Sequence, residues 1–376
     1  MSESTLFKDN FNPEVAQSFG RQIKHVYPAF ACDAFVAEIV PQLPPLALKE
    51  RVAVFAAALY HHLPSNYAEA IRILLSIFQT EHAPEEGLFK ETNGWIYWSV
   101  AYFVERYGLE DFDISLSAMH EITKYFSCEF ALRPFLIQYP AQTLAILDRW
   151  TSDPSPHVRR LVSEGTRPRL PWGIRLTQFI ADPTPTLALL DKLKDDESEY
   201  VRRSVANHLN DITKDNPDQA IATLQRWHKG EPRKNRQWIT RHALRSLVKA
   251  GDPEALALLG YGTPHVSLSD FTITPTAIVM GDKFVLHFTL HSQSATEQKL
   301  VVDYIVHFVK ASGKTSPKVF KLKTAVLPPN QSLTMRKQHT IKPITTRRYY
   351  SGVHPVEIQV NGQIVGKNSF TLTIEE

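Results

Sequence analysis

Cysteine is nearly absent from this sequence: its 376 residues contain two, Cys32 and Cys128. They lie far apart and form no CxxC pair. That argues against a disulfide framework and a thiolate zinc site, and it makes a reducing cytoplasm the expected compartment. Long apolar runs are missing as well. The most apolar stretch, Val52 to Tyr60, is far too short to span a bilayer. Met1 to Asn10 is polar and lacks the basic-then-apolar pattern of a secretory leader. No GxGxxG, Walker A, HExxH or GxSxG pattern occurs, so nothing points to dinucleotide, P-loop, zinc-protease or α/β-hydrolase chemistry. His61 and His62 are adjacent and face different ways on a helix, which argues against a metal pair there. No membrane or metal partner is expected, and a monomer is.

What the chain does have is enough length for two or three domains at roughly 100–200 residues each. Its 43% hydrophobic content is ordinary for a globular protein. The net charge of +3 is unevenly spread. Residues 1–112 hold 8 basic against 14 acidic residues, 113–262 hold 21 against 18, and 263–376 hold 13 against 7. The acidic front opposes a polyanion surface there; the two later parts permit one.

From about Asn12 to Gly262, apolar residues recur at helical steps, as in Val52, Phe55, Ala56, Leu59 and Leu63. Prolines 41, 44, 45, 64 and 84 fall between such runs and read as helix punctuation. Near Gly260-Tyr261-Gly262-Thr263-Pro264 the period changes to two. Lys299 to Phe308 and Lys318 to Lys323 read as strands, and Asn361-Gly362 is a hairpin signal. The expected fold class is therefore mostly α. A HEAT-like helical-repeat solenoid (residues 1–262) precedes an all-β immunoglobulin-like sandwich of about seven strands (residues 263–376).

The solenoid reading rests on a repeat. His157-Val158-Arg159-Arg160-Leu161-Val162 returns as Tyr200-Val201-Arg202-Arg203-Ser204-Val205, 43 residues later. Trp238-Ile239-Thr240-Arg241-His242-Ala243 follows it more loosely after another 38, and Glu129 to Pro134 reads as a diverged earlier copy. Helix pairs at this spacing stack, so equivalent positions form columns. Arg160, Arg203 and Arg241 make one row; Glu164, Asn207 and Arg245 make a second, one turn on. Such a row fits the spaced phosphates of a nucleic acid. Local ion pairs, Arg160 with Glu164 among them, are the structural alternative.

Three segments go further. Ser163-Glu164-Gly165-Thr166-Arg167-Pro168-Arg169-Leu170-Pro171-Trp172 resembles the HEAT-like DNA alkylation-repair glycosylases of the AlkC and AlkD group, AlkC most closely. Phe126 to Phe135 resembles an AlkC segment too, and Arg241 to Pro253 resembles the group more generally. The resemblance implies a monofunctional glycosylase of base excision repair. It would hydrolyse the N-glycosidic bond of cationic N3-alkylated bases, 3-methyladenine and 3-methylcytosine, in duplex DNA without flipping the base, and without metal or organic cofactor. The alternative is a noncatalytic HEAT scaffold binding DNA or protein.

A cationic base leaves without strong acid catalysis. What helps is a carboxylate that stabilises the oxocarbenium-like sugar and orients water. Glu121, on a helix between apolar positions, and Glu164 are the expected carboxylates, with Trp172 packing on the sugar or the lesion. The structural alternatives are a Glu121–Lys124 pair, a Glu164–Arg160 pair, and core packing of Trp172. Glu129 is a further candidate carboxylate, with stabilisation of a helix dipole as its structural alternative. Arg159, Arg160, Arg167, Arg169, Arg203, Arg241 and Arg245, with Arg202 beside them, are the phosphate candidates. Arg347 and Arg348, with Arg336-Lys337, are expected in turns or strand ends of the β part, as a second grip on DNA or as solvated edge charge.

Overall fold

The computed structural model describes residues 6–78, 93–229 and 233–374; Pro84 lies outside them. By their contacts the residues form two compact units, Met1–Ala243 and Leu244–Glu376.

The first unit carries α1 (Pro13–Val26), α2 (Cys32–Ile39), α3 (Leu48–His62), α4 (Tyr67–Phe78), α5 (Tyr97–Tyr107), α6 (Phe112–Ile122) and α7 (Leu132–Gln138). It continues through α8 (Pro140–Trp150), α9 (Pro156–Gly165), α10 (Thr177–Ala181), α11 (Thr184–Leu193), α12 (Glu199–Ile212), α13 (Pro217–Trp227) and α14 (Lys234–Ala243). Proline opens α1, α8, α9 and α13, where its missing N–H would be unpaired in any case. Asn12 and Ser198 cap α1 and α12 by accepting from Val15 and Val201 N–H. Among the described residues, no helix is long and apolar enough to cross a membrane.

The three sequence repeats fall on α9, α12 and α14, and α12 packs against both of the others. A second layer runs behind them, with α8 against α9 and α11, and α13 against α12. The repeated apolar positions explain this stacking: Val158, Leu161, Val162, Val201, Val205, Ile239 and Ala243 are all fully buried between layers. The repeated arginine has its own cause. Arg159 Nη1 donates to the carbonyls of Asp153 and Pro154, and Arg202 Nη1 to those of Asp196 and Glu197. Each ties down the linker leading into its own helix. Arg159 also holds the Asp196 carboxylate of the following linker at 2.7 Å and 3.0 Å.

The second unit begins with α15 (Arg245–Ala250) and α16 (Pro253–Leu258). Its strands are β1 (Val266–Thr274), β2 (Ala277–Val279), β3 (Lys283–Ser292), β4 (Gln298–Val309), β5 (Thr315–Leu327), β6 (Ser332–Thr340), β7 (Gly352–Val360) and β8 (Gln363–Thr373). They form two sheets, ordered β1-β3-β6 and β2-β8-β7-β4-β5. Phe284, Leu286, Phe288 and Leu290 from one sheet and Val302, Tyr304, Val306, Ile358 and Phe370 from the other fill one core. The unit is thus a sandwich. Asn361 and Gly362 join β7 to β8 with φ of 41° and 81°. Positive φ at both positions makes the tight hairpin turn that the Asn-Gly pair predicts.

Candidate active site

The specific ten-residue segment straddles the end of α9 and the loop after it. Two of its charged residues, Glu164 and Arg167, do not face water; they belong to a chain of ion pairs. Glu164 ends α9 with its side chain only 8% exposed. Its Oε1 accepts from Arg167 Nη1 at 2.7 Å and lies 3.5 Å from Arg160 Nη2. Its Oε2 accepts from Ser204 Oγ of α12 at 2.6 Å. Arg160 turns its Nη1 the other way, to Glu129 Oε2 at 2.5 Å and Ser127 Oγ at 2.6 Å, and sits over the Tyr200 ring. Arg167 Nε donates to Asp211 Oδ2 at 2.7 Å, and Lys214 closes the line on Asp211 Oδ1.

Order along this line is therefore Glu129, Arg160, Glu164, Arg167, Asp211. Three carboxylates face two guanidiniums, which leaves one negative charge before Lys214 is counted. Burial alone would raise the pKa of Glu164; Arg160 and Arg167 outweigh it and bring it below the ordinary carboxylate range. The same attraction, acting against burial, raises Arg160 and Arg167. These shifts hold Glu164, Arg160 and Arg167 in their charged forms. Exposure falls along the line: Glu129 is 16% exposed, Asp211 2%. Among the described residues, the side-chain bonds of Glu129 fall on its Oε2.

Loop 166–176 follows. Pro168 and Pro171 remove two of its donors, and much of its order comes from Arg133 of α7. That side chain is fully buried. Its Nη1 donates to the carbonyls of Gly165 and Arg167, and its Nε to that of Ile174. Burial, then the neighbouring Arg167 charge, lowers its pKa to about 10. At the loop tip Trp172 has φ of 65° and is 61% exposed. A non-glycine residue at such a φ is held there by its surroundings. A small cleft of about 60 Å³ lies beside it, lined by Lys49, Trp98, Tyr102, Glu105, Phe130 and Trp172 among others. Burial pushes the Glu105 carboxyl up.

His208 of α12 stands under Ser163. Its Nδ1 bonds the Ser163 carbonyl at 2.9 Å, and burial lowers its pKa to about 4. The folded state therefore keeps His208 neutral where an unfolded histidine, at about 6.5, takes up a proton. Its stabilising contribution is complete above pH 6.5 and is lost as pH falls towards 4, up to about 3 kcal/mol. Thermal unfolding of wild type and His208→Gln between pH 7 and 4.5 checks this. The gap between the two curves should narrow on acidification; parallel curves contradict the assignment.

The structure separates the sequence candidates. Glu121 sits near the end of α6, 48% exposed, paired with Lys124 at 2.8 Å and His120 at 2.8 Å. Burial raises its pKa, but Lys124 and His120 bring it below the ordinary value. It has no contact with Glu164 or Trp172 among these pairs. The expected catalytic carboxylate Glu121 is thus a partly exposed residue paired with Lys124 and His120. Glu164 is brought into the cluster, though buried rather than open. Trp172 is exposed, not core.

Two phosphate candidates are buried: Arg159 and Arg167 are 8% exposed, Arg159 bonded to Asp196 and two linker carbonyls, Arg167 to Glu164 and Asp211. Arg160 is committed to Glu129 and Ser127. Arg169 is clasped by both oxygens of Asp215, at 2.6 Å and 2.5 Å. Arg203 is 60% exposed and pairs with Glu199 at 2.6 Å; Arg241 is exposed on α14, and Arg245 is half-buried on α15. Arg347 stacks 4.0 Å over the Phe308 ring and Arg348 lies over Tyr350, both in the connection between β6 and β7. Arg336 and Lys337 lie within β6, an edge strand, rather than in a turn. Sequence reasoning missed Ser127, Ser204, Asp211, Lys49 and Arg133, and weighed Glu129 as a further candidate against a helix-dipole role.

Residues 105–247 match the family model described as DNA alkylation repair enzyme, and residues 267–374 match the C-terminal Ig-like domain of the uncharacterised protein YhaZ. YhaZ of Bacillus subtilis (strain 168) is 37% identical, across 95% of this chain and 96% of its own. A solved structure of the Pseudomonas fluorescens alkylpurine DNA glycosylase AlkC, bound to DNA containing an abasic site analog, is 38% identical. It superposes with a TM-score of 0.91 over 98% of this chain and 100% of its own.

Proposed function

Because this chain belongs to the family of AlkC-like DNA alkylation-repair proteins, with a C-terminal Ig-like domain, we propose that it is a monofunctional DNA glycosylase. It removes cationic N3-alkylated bases, 3-methyladenine and 3-methylcytosine, from duplex DNA without flipping them. Residues 1–262 form the helical-repeat catalytic part and 263–376 the immunoglobulin-like part. The observation that carries this reading is the carboxylate line ending at Glu129, beside a loop that presents Trp172.

The chemistry follows from charge. An N3-alkylated base is already positive, so its C1′–N bond breaks with the electron pair going to the base, and positive charge grows on the sugar. Fixed carboxylates at the site stabilise that charge without reorganising. Glu129 is the most exposed carboxylate of the line, and it takes the proton from the water that adds to C1′. Glu164, saturated by Arg160, Arg167 and Ser204, holds the line in place and adds its negative field. Trp172 offers an aromatic face to the sugar. Arg203, Arg241, Arg245, Arg347 and Arg348 are the proposed phosphate contacts; Arg169 joins them only by releasing Asp215.

Duplex DNA methylated in vitro, incubated with the enzyme and split into alkali-treated and untreated halves, tests the reaction type. Hydrolysis without lyase chemistry leaves abasic sites, so strand breaks should appear only after alkali. Breaks before alkali would make the enzyme bifunctional. No breaks in either half, from a protein that still binds the duplex, would favour a noncatalytic scaffold. Trp172→Ala should lower alkali-labile breaks by roughly ten- to a hundredfold, the usual cost of losing a positioning contact. Its melting temperature should be unchanged, because the ring is largely in solvent.

A further inference from the structure

Trp172 is exposed and held at a left-handed φ, yet its loop has few hydrogen bonds of its own. Within loop 166–176 the backbone bonds are Gly173 N–H to Leu170 and Leu176 N–H to Pro168. What restrains the loop comes from outside it. Arg133 of α7 takes the carbonyls of Gly165, Arg167 and Ile174 with one guanidinium. Lys49 of α3 donates its ammonium to the carbonyl of Trp172 itself, while lying 5.1 Å over the Phe130 ring. Two cations from two distant helices thus grip the loop at its base, its tip and its exit.

Gly173 supports this. A Cβ there would lie 3.2 Å from Arg133 Nε and 3.3 Å from its Cδ. The glycine lets the backbone close onto the arginine. Arg133 Nη2 is buried with no partner. The guanidinium is therefore placed for the loop carbonyls at the expense of one unsatisfied donor, a cost that packing alone does not require.

We infer that Arg133 and Lys49 are positioning residues for the reaction, a two-point clamp that fixes Trp172 over the site. This rests on the glycosylase reading for its consequence, but not for its geometry. Neither side chain touches DNA in this role. Both act through the backbone that carries Trp172, and the same grip makes Trp172, Gly173 and Ile174 one wall of the cleft that Glu105 and Phe130 line.

The test uses full-length protein labelled with 5-fluorotryptophan, its six tryptophan signals resolved by fluorine NMR and Trp172 assigned with Trp172→Phe. In Lys49→Met the Trp172 signal should shift and broaden while the four tryptophans outside the cleft stay in place. The single-turnover base-release rate should fall about tenfold, and affinity for undamaged duplex should stay within twofold. Lys49→Arg, which can still reach a carbonyl, should restore both signal and rate. Arg133→Lys keeps the charge but not the three-carbonyl grip, and should move the same signal further. A Trp172 signal unmoved in Lys49→Met overturns the clamp, whatever the rate does. A moved signal with an unchanged rate overturns its catalytic role. If wild type releases no base at all, the glycosylase reading fails, while the fluorine signal still decides the clamp.

Discussion

Glu129→Gln lowers the rate of base release by about a hundredfold or more and leaves the melting temperature within a few degrees of wild type. The substitution keeps shape and removes charge from the most open carboxylate of the line. Losing one preorganised electrostatic group at a developing charge typically costs about 10²–10³ in rate. The stability cost is small because Ser127 and Arg160 can still bond the amide oxygen, and the site is near the water-facing end. Affinity for a duplex with an abasic analogue should change little, so the loss appears in kcat rather than in binding. Glu121→Gln is the matched control. Its carboxylate sits on Lys124 and His120, and its rate should stay within twofold of wild type. A reversed result, with Glu121→Gln slow and Glu129→Gln fast, would place the chemistry on α6 and refute the line described above.

Arg167→Met gives the second large effect, on stability. It leaves the buried carboxylates of Glu164 and Asp211 without their shared partner. Breaking a buried ion pair from one side costs about 3–5 kcal/mol, or roughly 10 °C in melting temperature for a unit of this size. Part of this should return in the double variant with Glu164→Gln, because one of the two stranded charges is then gone. Additive losses, or a single-variant loss below about 1 kcal/mol, contradict the coupling. Urea unfolding followed by circular dichroism provides both numbers.

Architecture was legible in the sequence where one physical pattern dominated. The spaced Val-Arg-Arg copies found α9, α12 and α14 because stacking repeats must bury the same positions. Period-two runs found β4 and β5, and Asn361-Gly362 found the hairpin, since few other pairs accept positive φ twice. The contact boundary was less legible: α15 and α16 read as more of the same helices, yet by contact they belong with the strands.

For the proposed site, the ten-residue segment marks the stretch that holds the ion-pair line, but the roles within it were not readable. Repeating arginines look like a phosphate row until partners are known. Arg159 and Arg202 repeat because each helix has a linker to tie down, and Arg167 because Asp211, 44 residues on, waits for it. Glu129 joins the line through Arg160, 31 residues away, and no local period marks such a pair. Nothing local marks Asp211 either: in His208-Leu209-Asn210-Asp211-Ile212 three of five residues are polar, so its burial is not readable from the segment.

Chromatographic analysis of free bases released from methylated duplex DNA, under single-turnover conditions with wild-type enzyme in excess, tests the central claim most directly. The account predicts enzyme-dependent release of 3-methyladenine or 3-methylcytosine, well above the spontaneous rate. Release indistinguishable from the enzyme-free control, from folded protein that binds the same duplex, would contradict it.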